Sequence, residues 1–74
     1  MNWPSTVSPE LRELIERACT PKEVEVLQLK AQGYGKARMA RILGISEEAV
    51  RDRLRRAARK VQAEAAAQQG WGFW

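Results

Sequence analysis

The 74-residue chain contains no histidine and one cysteine, Cys19. Without a second thiol no disulfide can close within a single copy. Without histidine neither a Cys/His metal site nor an imidazole base can be assembled. A glycine-rich phosphate loop is also missing, and so is a nucleophile set beside a base. The carboxylates alternate with cations on exposed helix faces, which is the pattern of a solvated surface. A non-enzymatic protein with no cofactor and no metal is therefore expected. Cys19 itself reads as a small side chain near a helix end. No apolar run approaches the roughly 20 residues that span a bilayer, and the N-terminus lacks a basic region followed by an apolar one. These absences predict a soluble, cytoplasmic protein with no membrane partner. Proline is confined to positions 4, 9 and 21, so the rest of the chain carries no break of that kind. Aromatic residues are few, and the three tryptophans lie near the two ends.

What is present in excess is positive charge, and it is unevenly placed. The formal charge is +4. Residues 1–29 carry three basic and five acidic groups, a local charge of −2. Residues 30–60 carry ten and three, a local charge of +7, and residues 61–74 hold one glutamate. A basic segment of this density is expected of a patch that faces a polyanion. A chain this short supports one small domain with one core.

Helical signals run through most of the sequence. Ser8-Pro9 has the form of an N-cap followed by proline at the first helical position, and Leu11, Leu14, Ile15 and Ala18 follow the i, i+3, i+4, i+7 spacing. This predicts a first helix from Pro9 to Ala18. Thr20-Pro21-Lys22-Glu23 is a capping box opening a second helix, Pro21 to Gln32. That helix is expected to bury Val24, Leu27 and Ala31, with Val26 and Leu29 widening the apolar face. Gly33-Tyr34-Gly35 ends it. A short third helix from Lys36 to Leu43 turns Met39, Ala40 and Leu43 inward, with Gly44 suited to the left-handed conformation at its C-terminal end. Ser46 caps a fourth helix whose buried stripe is Val50, Leu54, Ala57, Ala58 and Val61. The alanine-rich run from Ala63 to Gln69 extends it by propensity.

A short helix, the turn "GIS" and a longer helix, with small Ala40 at the crossing, form the pattern of a helix-turn-helix, whose second helix enters the DNA major groove. The alternative is an ordinary helical hairpin in a small bundle. The DNA reading is favoured because the basic segment coincides with the turn and the second helix. The expected fold is thus all-α: a small four-helix domain containing a helix-turn-helix and ending in a long recognition helix. Residues 1–8 are an N-terminal arm, 9–69 the domain and 70–74 an aromatic tail.

The stretch Thr20 to Val61 resembles the helix-turn-helix of sigma-70 region 4 and of the related LuxR-type response regulators. The resemblance lies in Thr20-Pro21 with Glu23, Val26-Leu27, Gly33, Ala40 with Leu43-Gly44-Ile45-Ser46, and Val50 with Arg53-Leu54. Arg53-Leu54 followed by Arg56-Ala57 leans toward the sigma-type version, since LuxR-type domains usually have histidine where Arg53 stands. Both families usually have a polar residue at the position of Gly35 and an acidic one at that of Arg38. The resemblance implies a DNA-binding module. The expectation is a stand-alone one, such as a phage or mobile-element regulator in a bacterial or phage-infected cell, associated with the nucleoid. A sigma factor's promoter-melting domain has no room in this chain.

Advancing about 100° per residue, the outward face of the fourth helix carries Glu48, Asp52, Arg55, Arg56 and Arg59. Arg51 lies on one shoulder, and Arg53 and Lys60 on the other. The acids admit two readings. Glu47 and Glu48 favour the positive helix N-terminus, while Glu47–Arg51 and Asp52–Arg56 form i,i+4 pairs. Alternatively, Glu48 or Asp52 accepts from a cytosine amino group while Arg51 or Arg55 donates to guanine. Three acids cannot pair six cations, so several arginines remain for phosphates or base edges. The residues expected at double-stranded DNA are Lys36, Arg38, Ser46, Glu47, Glu48, Arg51, Asp52, Arg53, Arg55, Arg56 and Arg59.

The tail "GWGFW" has three readings: a cover for a small core, aromatic anchors for a partner protein through Trp71, Phe73 and Trp74, or a homodimer contact. A second function class follows from it. The chain could resemble sigma region 4 in binding RNA polymerase or another protein through the apolar second helix and the tail, with DNA contact secondary. A membrane-bound basic helix is disfavoured by the narrow, alanine-rich apolar stripe.

Overall fold

Side chains that accept from free backbone N–H groups set three of the four described helix starts, and glycines that reach positive φ set two of the ends. A computed structural model describes residues 3–69, and the segment from Gly70 to Trp74 lies outside the described residues. Four helices follow in chain order: α1 Pro9–Ala18, α2 Pro21–Ala31, α3 Lys36–Leu43 and α4 Glu47–Gln69. No strand occurs among the described residues. The expected all-α, four-helix architecture is the one observed.

The starts of α1, α2 and α4 match their sequence signals. The Ser8 Oγ accepts from the Leu11 N–H at 3.2 Å. The capping box of α2 is complete: Thr20 N–H donates to the Glu23 carboxylate at 2.9 Å, and Glu23 N–H donates to the Thr20 hydroxyl at 3.4 Å. Such caps stabilise a helix by about 0.5–2 kcal/mol. α2 closes in a Schellman arrangement, with Tyr34 N–H to the Leu29 carbonyl at 3.2 Å and Gly33 N–H to that of Lys30 at 3.0 Å. Gly33 sits at φ +97 to permit this.

α4 is the spine, and the other three helices all pack on it. Its first turns meet α3 and α2 in a cluster of Leu29, Met39, Ala40 and Val50, covered by Tyr34, Leu43, Ile45 and Leu54. Its middle meets the start of α2, where Lys60 reaches Glu23 and the Cys19 thiol lies 3.8 Å from the Ala57 carbonyl. Its last turns lie beside α1, where Ala65 and Gln68 share a groove with Leu11 and Leu14. The arm doubles back along α1, with the half-buried Trp3 indole donating to Glu16 at 3.1 Å.

One expected face is rotated and a second is narrower than expected. In α2 the buried line is Glu23, Val26 and Leu29, while Val24, Leu27 and Ala31 are half-buried on its flank. α2 contacts α1, α3 and α4 at once, so no single apolar stripe sets its orientation. In α4, Val50 and Ala57 are fully buried, Leu54 and Val61 half-buried, and Ala58 is exposed. Ala58 lies about 100° round the helix from the fully buried Ala57, past the edge of the packed side.

Candidate nucleic-acid interface

The turn between α3 and α4 is built from three successive residues with distinct tasks. Gly44 takes the left-handed conformation at φ 70, which a side chain would strain. Ile45 then donates its N–H to the Ala40 carbonyl at 3.0 Å and puts its side chain against the core. The Ser46 hydroxyl accepts from Ala49 N–H at 3.1 Å and starts α4. Met39, with no solvent exposure, and Ala40 at 7% lie between α3 and α4, so the angle between the two helices is fixed by packing.

Held in this way, α4 presents a continuous polar face. Glu48, Arg51, Arg55, Arg56 and Arg59 are exposed, and Asp52 and Arg53 are half-buried. Ser46 and Glu47 are exposed at its start, as are Lys36 and Arg38 on α3. The Arg38 guanidinium lies 5.8 Å from the centre of the Tyr34 ring, a cation–π contact between the first turn of α3 and the connection that precedes it.

The cations of α4 fall into two groups. Asp52 pairs with Arg56 at 2.9 Å and with Arg55 at 3.8 Å. Lys60 pairs with Glu23 at 3.0 Å. Arg51, Arg53 and Arg59 make no ion pair among the described residues, and neither do Glu47 and Glu48. The expected Asp52–Arg56 pair is present and the Glu47–Arg51 pair is absent. The acids in the first turn are left to the helix dipole and to whatever α4 faces.

Two features escaped the sequence reading. Glu23 has a second role besides capping: its side chain is 7% exposed and its carboxylate receives the Lys60 ammonium on both oxygens. The Thr20 backbone N–H, and then Lys60, hold the Glu23 carboxyl below the usual glutamate range against the opposing effect of burial. Burial and the Glu23 charge together push the nearby Cys19 thiol up, so it stays protonated at neutral pH. The signal for Glu23 was its place on the line Glu23–Val26–Leu29, with i, i+3, i+6 spacing. The other omission is Lys22. A groove of about 410 Å³ between α2 and α4 is lined by Thr20, Lys22, Glu23, Arg53, Arg56 and Lys60, which brings Lys22 beside the basic shoulder of α4.

Among the described residues no group of three Cys, Asp or Glu side chains is placed to hold a metal ion, and no helix is long and apolar enough to cross a membrane.

A three-helix core, a left-handed glycine turn fixed by packing and an exposed basic helix define a helix-turn-helix domain. Residues 18–69, well over half of the chain, match the model of the LuxR family of bacterial regulatory proteins, GerE. The chain belongs to that family, whose helix-turn-helix domains bind DNA. The match begins at the last residue of α1, so it covers α2 to α4. No curated protein and no solved structure matches the chain.

Proposed function

We propose that the protein is a sequence-specific regulator of transcription that reads double-stranded DNA with Ser46 to Val61 in the major groove. The observation carrying this reading is the exposed face of α4, from Glu48 to Arg59, standing directly after a turn whose geometry is locked by Gly44, Ile45 and Ser46. Arg51 and Arg55, on the early turns, are suited to donate to guanine edges, and Glu48, without an ion pair among the described residues, to accept from a base amino group. Arg53, Arg56 and Arg59 suit phosphates on the groove wall, joined by Lys22 from α2 and by Lys36 and Arg38 from α3. One recognition helix makes few base contacts, which favours a homodimer on a two-fold site or a protein partner on the same promoter.

The sigma-like alternative, an RNA polymerase-binding module, relies on apolar surface of α2 and on the tail. Within the domain Val26 and Leu29 are buried and Val24 and Leu27 half-buried, which leaves α2 little apolar surface to offer. Selection of bound duplexes from a random pool tests the proposal. Enrichment of one motif that outcompetes bulk DNA at physiological salt is expected. Recovery of unrelated sequences would reduce the DNA contact to a non-specific one.

A further inference from the structure

Asp52 stands in the middle of a face that meets a polyanion, where a bare carboxylate would be repelled. Turning about 100° per residue, it lies between Arg55 on one side and Arg56 on the other. Its two oxygens are divided between them, Oδ2 at 2.9 Å from Arg56 and Oδ1 at 3.8 Å from Arg55. All three side chains stay half or more exposed, so the cluster is open to a ligand and adds little to the fold. From this geometry we infer that Asp52 is a positioning residue for DNA recognition. It aims Arg55 at the base edges and Arg56 at the backbone, and reads no base itself.

The physical reason is the nature of guanidinium recognition. Bidentate bonding to guanine requires a planar fork in one orientation, and an arginine released from Asp52 would sample many. A released arginine would still be attracted to phosphates anywhere along the duplex, since that attraction depends on charge and little on orientation. Asp52 therefore lowers affinity for bulk DNA by its charge and keeps affinity for the preferred site by its geometry. Both effects raise the ratio of specific to non-specific binding. Glu48 is the contrasting acid on the same face, because it makes no ion pair among the described residues. This inference rests on the DNA-reading function proposed above.

Asp52→Asn removes the charge at nearly constant shape, and Asp52→Glu keeps the charge and the i,i+4 reach to Arg56. Binding of both variants and the wild type is measured on the duplex selected by the wild type and on sheared DNA of mixed sequence, at several salt concentrations, with a thermal melt alongside. For Asp52→Asn the expected result is tighter binding to mixed DNA with a steeper salt dependence. The specificity ratio should fall about tenfold while the preferred sequence and melting temperature stay the same. Asp52→Glu should recover most of the ratio. A changed base preference at one position would overturn the inference by making Asp52 a reader. A parallel gain on both duplexes with an unchanged ratio would overturn it by reducing the cluster to surface charge. A wild-type protein with no preferred duplex removes the proposed function and this inference together; a preferred duplex with the ratio unmoved removes this inference alone.

Discussion

Glu23 and Asp52 each hold cationic side chains of α4, one from inside the domain and one on its surface. Glu23 is closed over by α2 and α4, bonded to Thr20 and Lys60, and held ionised by both. Asp52 hydrogen-bonds Arg56 and forms a longer ion pair with Arg55 at the surface. Burial decides what each pair can do. Inside, an ion pair whose partner is removed leaves an uncompensated charge, so the contact is structural. Outside, water replaces a lost partner at little cost, so the contact affects the fold little and is free to affect a ligand. The same helix thus commits its last basic residue, Lys60, to the fold and leaves its earlier ones available for the proposed binding.

The comparison is broken most forcibly at Glu23. Glu23→Ala removes the reciprocal half of the capping box and leaves Lys60 unpaired, with an expected loss of about 2–3 kcal/mol once the partial exposure of Lys60 is allowed for. In a domain of this size that lowers the melting temperature by on the order of 10 °C, readable in a circular dichroism melt. The same residue gives the stability a pH dependence of known sign. Folding lowers the Glu23 pKa, so its contribution is complete above the ordinary glutamate range. It is lost as pH falls through the lower folded value. Melting temperature should drop in the wild type as the pH falls below the ordinary glutamate range. Glu23→Gln should flatten that part of the profile; an unchanged profile would place the titration elsewhere.

On the surface the effects move from stability to binding. Arg51→Ala and Arg55→Ala should each weaken binding to the preferred duplex by about 1–3 kcal/mol, with bulk DNA affected less. Lys22→Ala, Arg56→Ala and Arg59→Ala should weaken both duplexes alike and lower the salt slope by about 1 each. Equal behaviour of the two sets in salt titrations would erase the distinction between base-reading and backbone-contacting turns of α4. The smallest effect is Asp52→Asn on thermal stability, within about 0.5 kcal/mol. A larger loss would move Asp52 toward the structural role of Glu23.

Local chemistry made much of this legible in the sequence. Ser8-Pro9, the Thr20–Glu23 box, Gly44 and Ser46 each state a backbone requirement within a few residues, and the helix limits they imply agree with the fold to one residue. The outward face of α4 was legible because its neighbours meet it one after another along its 23 residues and leave one face polar, whereas the shorter α2 meets its neighbours together. Contacts between distant segments were not. Glu23 and Lys60 are 37 residues apart, and neither announces the other. Nothing local showed that Lys22 stands beside Arg53 and Arg56, because that depends on where α2 crosses α4. The buried line of α2 was misplaced because a helix packed on three neighbours has no single apolar stripe. Trp71, Phe73 and Trp74 lie outside the described residues, and their role as partner anchors stays a proposal.

The proposed DNA contact runs through the exposed arginines on the outward face and shoulder of α4. Its most direct test is the DNA affinity of a variant with Arg51, Arg55, Arg56 and Arg59 all changed to Ala, whose fold is verified by an unchanged helical circular dichroism spectrum. Binding is titrated against the selected duplex and bulk DNA at several salt concentrations. The expected result is loss of measurable specific binding and, on bulk DNA, a salt slope lowered by about 2. Affinity on both duplexes equal to that of the wild type would contradict it and would remove α4 as the reading element.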